Sequence, residues 1–136
     1  MEVTNLDEFN FNIDKFTASI PDKVVAIHKK ITFEAFVRLV MKTPVDTGRA
    51  KGNWMPTIDA PFEGVLEVFD KTPLGSFSSE ANARIKTLLT ALKPYQTTWI
   101  CNNVVYIVAL EEGHSQKQAP FGMMALTVEE LRQIFP

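Results

Sequence analysis

The stretch Pro21-Asp22-Lys23-Val24-Val25-Ala26-Ile27-His28-Lys29-Lys30-Ile31-Thr32-Phe33-Glu34-Ala35-Phe36-Val37-Arg38-Leu39-Val40-Met41-Lys42 reads as one helix. Val24, Ile27, Ile31, Ala35 and Leu39 recur at spacings of three or four and define a face. Val25, Phe33, Phe36, Val37 and Val40 widen that face. An arc this broad is covered on more than one side. The cover is either the chain's own sheet or a neighbouring subunit. Pro44 ends the helix, because a residue before proline disfavours helical geometry. Upstream, Leu6, Phe9, Ile13 and Phe16 form a second helical stripe within residues 5–18, with Thr4 or Asn5 as its cap. Pro21 then breaks or restarts the chain, as proline does in a first turn.

Downstream, Asp46 and Thr47 are natural caps and Gly48 permits a tight turn. A short helical turn leads into a strand starting near Trp54. Residues 55–80 form an extended loop rich in proline, glycine and serine, with Val65–Phe69 as a short strand inside it. A segment of this kind either reaches a neighbour or runs as a plain surface loop. A helix follows over 79–92, capped by Ser79 and stopped by Pro94. Thr97–Ala109 is rich in β-branched and aromatic residues, so its first part is a strand. After Asn103 comes a second strand or a short helix. Residues 112–120 are a loop, and 121–135 are a final helix with Met124, Val128, Leu131 and Phe135 on one stripe. The order predicts a single α+β domain over residues 1–136. Its long N-terminal helix packs on a small, mostly antiparallel sheet, with further helices at about 79–92 and 121–135.

Composition narrows the function classes. With 136 residues, 46% hydrophobic and 22% charged, the chain has one ordinary domain's worth of core. Net charge is −2, and the basic spots His28-Lys29-Lys30 and Arg49-Ala50-Lys51 are short. A duplex-binding protein needs a concentrated basic face, so specific nucleic-acid binding is not expected. The single cysteine, Cys101, excludes an internal disulfide and a cysteine-based zinc site, and implies a reducing compartment. The acidic N-terminus has no apolar core of a secretory signal, and no apolar run is long enough to span a membrane.

The residues that carry chemistry are sparse. The histidines are His28 and His114. His28 sits beside two lysines and reads as part of a solvated helix face. His114, Ser115 and Glu111 contain the residue types of a triad, but sequence neighbours rarely meet in triad geometry and no nucleophile elbow is present. Glu111, Glu112 and His114 lack a second nearby histidine for a metal. Gly48 and Gly52 lack the lysine and serine ending of a phosphate loop. The pairs Glu111-Glu112 and Glu129-Glu130 are adjacent, so on a helix they do not face one another. No catalytic, cofactor-binding or metal-binding residue is assigned, and an enzyme is not expected.

Two segments carry a resemblance. Thr43-Pro44-Val45-Asp46-Thr47-Gly48-Arg49-Ala50-Lys51-Gly52-Asn53-Trp54 resembles a signature of small tail-component proteins of siphophages and prophages. Asn102-Asn103-Val104-Val105-Tyr106, Leu110-Glu111-Glu112-Gly113-His114-Ser115 and Gln118-Ala119-Pro120-Phe121-Gly122-Met123 resemble its second signature, in the same order. Thr127–Glu130 is similar to the family's C-terminal helix. Val105 stands where a proline is common, Lys117 is an insertion, and Phe121 replaces a small residue.

The resemblance to neck, head–tail joining and tail-completion proteins implies a virion structural subunit of the head–tail junction. It would assemble in the host bacterial cytoplasm as a ring homo-oligomer and contact head-closure, connector or tail proteins. DNA would pass through its channel, and no cofactor or membrane is involved. A tail terminator capping the tail tube is the neighbouring alternative. A small prophage-encoded hydrolase or regulatory module is the remote one. The structural motif residues are Asp46, Gly48, Arg49, Trp54, Tyr106, Glu111, Gly113 and His114. Asp46 is expected to cap a turn, Arg49 to pair with Glu111, Trp54 and Tyr106 to anchor a core or an interface, and Gly113 and Gly122 to set turns.

Overall fold

The computed structural model describes residues 2–136, with side chains described for Lys15 and from Ala18 onward. The elements are α1 (Glu2–Lys42), α2 (Arg49–Gly52), β1 (Met55–Ile58), α3 (Ser79–Ala91), β2 (Thr98–Cys101), α4 (Ile107–Glu111) and α5 (Met124–Ile134). This is the expected α+β arrangement.

Helix α1 is continuous across Pro21, which corrects the expected break. Proline's fixed φ is itself helical, so the penalty is one missing main-chain bond and local crowding. Here it falls where Asp22, Lys23 and Val24 are exposed. The helix starts at Glu2, ahead of the expected caps Thr4 and Asn5. The stripe of Leu6, Phe9, Ile13 and Phe16 lies outside the described side chains.

The core forms where the C-terminal part of α1 meets α3 and the approach to α5. Phe36, Leu39 and Val40 pack with Trp54, Ala81, Ile85, Leu88, Ala119 and Met123. Each large side chain buried there contributes about 1.5–3 kcal/mol. Phe77 meets Phe36 edge-to-face at 6.1 Å. Only part of the expected α1 face is used: Val24 and Ile27 are 36% and 58% exposed. Glu130 of α5 accepts from Arg38 Nη1 at 2.9 Å and from Lys42 Nζ, which ties α5 to α1.

β1 and β2 form a two-stranded antiparallel sheet with Met55 opposite Cys101 and Ile58 opposite Thr98. Its inner contact with α1 is polar: Thr98 Oγ1 lies 3.0 Å from both His28 Nε2 and Thr32 Oγ1. His28 is therefore half-buried and bonded, and does not belong to a purely solvated face. Ser78, one residue before the expected Ser79, caps α3 by accepting from the Ala81 N–H at 3.1 Å. Past Asn103 the chain turns into the short helix α4 and forms no second strand. Val65–Phe69 is not a strand either; the main-chain groups of Leu66 bond to the Asn53 side chain, not to a ladder.

Candidate functional site

The segment Thr43–Trp54 folds into a hub that grips the long loop. Thr43 is fully buried; its hydroxyl donates to the Leu39 carbonyl at 2.6 Å and accepts from Trp54 Nε1 at 2.7 Å. This closes the end of α1 onto the start of β1. Gly48 has φ +87°, and a Cβ there would stand 2.3 Å from the Asp70 carbonyl oxygen. Glycine is thus required both for its conformation and for the close approach of the loop. The Gly48 carbonyl accepts from the Asp70 N–H at 2.8 Å. A Cβ at Gly52 would lie 2.9 Å from the Val68 carbonyl.

Two buried polar side chains complete the grip. Asn53 Oδ1 accepts from the Leu66 N–H at 2.6 Å, while its Nδ2 donates to the Leu66 carbonyl at 3.1 Å and the Arg49 carbonyl at 2.7 Å. Lys51 is 1% exposed, and its Nζ donates to the carbonyls of Thr72 at 3.1 Å and Pro73 at 2.8 Å. Burial lowers the Lys51 pKa, and nearby Asp70 opposes that. Burial acts to raise the Asp70 pKa, but hydrogen bonds from Thr72 and Ser78 and the charge of Lys51 hold it below its ordinary value. Arg84 Nη1 reaches across from α3 to the carbonyls of Gly52 at 3.0 Å and Trp54 at 2.8 Å. The loop is therefore strapped to its own domain along most of its length.

The second signature closes on the first. Gln118 pairs with both main-chain groups of Val45, at 2.8 Å to its N–H and 3.1 Å to its carbonyl. Asn102 donates to the Ala50 carbonyl at 2.8 Å, and Asn103 to the carbonyls of Phe62 and Gly64 at 2.7 and 2.9 Å. Between the two signatures lies a cleft of about 550 Å³, lined among others by Val45, Arg49, Phe69, Tyr106, Leu110 and Gln118. Asp46, Gly48, Arg49 and Tyr106 of the expected motif set line it together.

The other motif residues lie elsewhere. Trp54 is in the core, 2% exposed, whereas Tyr106 is 42% exposed at the cleft. Arg49 does not pair with Glu111; it meets Glu67 at 3.6 Å on the surface. Glu111 instead accepts from the N–H groups of Met123, Met124 and Ala125 at 2.8, 2.7 and 3.0 Å. It is the cap of α5, provided from another element. Burial acts to raise the Glu111 pKa, but the three N–H donors outweigh it and hold the group below the ordinary carboxylate value. Gly122 has φ +78°, and a Cβ there would stand 2.3 Å from the Glu111 carbonyl oxygen. Gly113 has φ +88°, and a Cβ there would stand 2.4 Å from the Pro120 carbonyl oxygen. His114 is exposed. Asp46 is exposed and is not the cap of α2, whose N-cap is Gly48. The nearer side-chain bond there is Thr47 Oγ1 accepting from the Arg49 N–H at 3.3 Å.

Lys51, Asn53, Asp70 and Arg84 were not singled out from sequence. The one available signal was the Gly48–Gly52 spacing, which marks a backbone that something else must approach closely. Among the described residues, no group of three or more His, Cys, Asp or Glu side chains is placed to hold a metal ion. Within the same residues, no helix is long and apolar enough to cross a membrane. No family model, curated protein or solved structure matches the chain.

Proposed function

We propose that this chain is a structural subunit of the head–tail junction of a tailed phage. It assembles as a ring and contacts neighbouring connector or tail proteins, in the virion and in the host cytoplasm where the virion is built. The observation that carries the reading is the union of the two signature segments: Gln118 pairs with the main chain of Val45, and Tyr106 and Arg49 share one cleft. In this hub the polar chemistry of the motif is geometric. Lys51, Asn53, Asn102, Gln118 and Glu111 all spend their polar atoms on backbone groups. Such an arrangement fixes a surface and leaves the exposed apolar residues Phe69 and Tyr106 for a partner.

The test is genetic and microscopic. Phage lacking this gene should accumulate separate heads and tails, and the protein supplied in trans should restore joined particles and co-purify with them. Normal particles in its absence would overturn the proposal.

A further inference from the structure

Helix α1 is 41 residues long and spans about 60 Å at 1.5 Å per residue. A compact chain of this length has a radius of gyration of about 14 Å. The core engages α1 from Phe33 onward, and the sheet touches it at His28 and Thr32. Before that point Ile20, Val24 and Ile27 lie on one stripe, and all three are exposed. An apolar helical stripe in water gains little on its own; helices of soluble proteins are held mainly by packing.

The same chain offers a trough of matching character. Met55, Pro56 and Ile58 of β1, with Ala83, Thr87 and Ala91 of α3, line an open groove of about 560 Å³. Its α3 wall lies beside the face of Ala81 and Ile85 that packs into the core with α1, and Leu88 sits at the seam, lining the groove and joining the core. The groove does not suit an added strand. Asp59 N–H bonds to the Thr97 carbonyl at 2.7 Å, so the alternation of an antiparallel ladder turns the main-chain groups of Ile58 and Pro56 outward. Pro56 has no N–H, and the Ile58 carbonyl is taken by the Ala60 N–H at 2.8 Å. An edge so blunted accepts a helix better than a strand.

Charge selects the occupant. Residues 1–22 hold five acidic side chains (Glu2, Asp7, Glu8, Asp14, Asp22) against Lys15, a net −4. The remaining chain holds thirteen basic against eleven acidic side chains, a net +2. Glu80 and Arg84 line the groove and offset one another, and Lys86 and Lys93, outside the lining, bring the stretch 79–93 to a net +2. Two such arms would repel one another, whereas an arm and a groove attract.

We infer that the N-terminal part of α1, through Ile20, Val24 and Ile27, docks in the α3–β1 groove of a second copy of this chain. The contact is heterologous: the surface used on one copy differs from that on the next, which is the geometry that closes into rings. The inference rests on the ring reading above and gives it an interface.

The experiment uses the full-length chain with Cys101→Ser as background. One preparation carries Val24→Cys and another Thr87→Cys. Oxidation of the mixture should yield the unlike pair. Formation of only the Val24→Cys homodimer would overturn the inference in favour of arm-to-arm pairing. In light scattering after size exclusion, the wild type should exceed the monomer mass. Val24→Asp with Ile27→Asp should weaken association roughly a hundredfold at an unchanged melting temperature. Lys86→Glu with Lys93→Glu should weaken it in low salt. An unaltered oligomer in the arm variants, or a wild type monomeric at every concentration, would remove the docking while leaving the junction role to the particle-completion test. Particles completed without the protein would remove the junction role itself.

Discussion

Replacing Glu111 by alanine removes three main-chain acceptor contacts at once. In the folded chain its two carboxylate oxygens take the N–H groups of Met123, Met124 and Ala125 at 2.7–3.0 Å. These are donors at the N-terminal end of α5, which lack partners inside the helix. Loss of an ordinary cap costs about 1 kcal/mol, and a carboxylate at a helix N-terminus adds about 0.3–1 kcal/mol. Met123 is fully buried, so its N–H is poorly placed to find water instead. The expected cost of Glu111→Ala is therefore about 2–3 kcal/mol, on the order of 10 °C in Tm for a chain of this size. Glu111→Gln keeps one acceptor oxygen and should lose about half as much.

The pH dependence has a definite sign. Although burial acts to raise it, hydrogen bonding to the charged form holds the folded-state pKa below the ordinary carboxylate value. The unfolded state therefore binds the proton more readily, and Glu111 stabilises the fold above the unfolded pKa. That contribution drains away as pH falls from about 4.5 through the folded value. Thermal melts of wild type, Glu111→Gln and Glu111→Ala from neutral to acidic pH check this. The difference between wild type and Glu111→Ala should be full at neutral pH and shrink on acidification. A variant melting within about 1 °C of wild type at pH 7, or a gap that does not narrow in acid, would refute the capping argument.

Three other substitutions probe the hub. Gly48→Ala places a Cβ 2.3 Å from the Asp70 carbonyl at φ +87°, so it should cost more than about 2 kcal/mol and expose residues 60–75 to early proteolytic cleavage. Lys51→Met keeps most of the buried volume but leaves the Thr72 and Pro73 carbonyls without their donor and Asp70 without its nearby cation; a loss of about 2–3 kcal/mol in urea unfolding is expected. Arg49→Ala should change stability by less than about 1 kcal/mol, because its ion pair with Glu67 is long and on the surface; a collapse of the fold would show that Arg49 has a further structural role.

Legibility followed the range of the interactions. The helical periodicity of Val24 to Leu39, the stop at Pro44, the strand after Trp54 and the helices near 79–92 and 121–135 depend on neighbours a turn away, and all were readable. The reading erred where a local rule met a longer-range force. Pro21 predicted a boundary, but one lost bond does not end a helix that continues on both sides. Val65–Phe69 has strand composition, yet Asn53 takes the main-chain groups of Leu66 and Gly48 takes the N–H of Asp70 just beyond it. His28 looked solvated because only its sequence neighbours were visible, while its partner Thr98 is 70 residues away.

Sequence alone determined the α+β class, the helices near 79–92 and 121–135 and the two motif segments, because those follow from side-chain periodicity, turn residues and composition. Tertiary structure alone decided what the motif residues do. It buried Lys51 against two carbonyls, gave Glu111 to α5 instead of Arg49, and joined Gln118 to Val45 across 73 residues. A polar side chain's role depends on which unpaired backbone group folding brings within 3 Å of it, and no one-dimensional spacing encodes that distance.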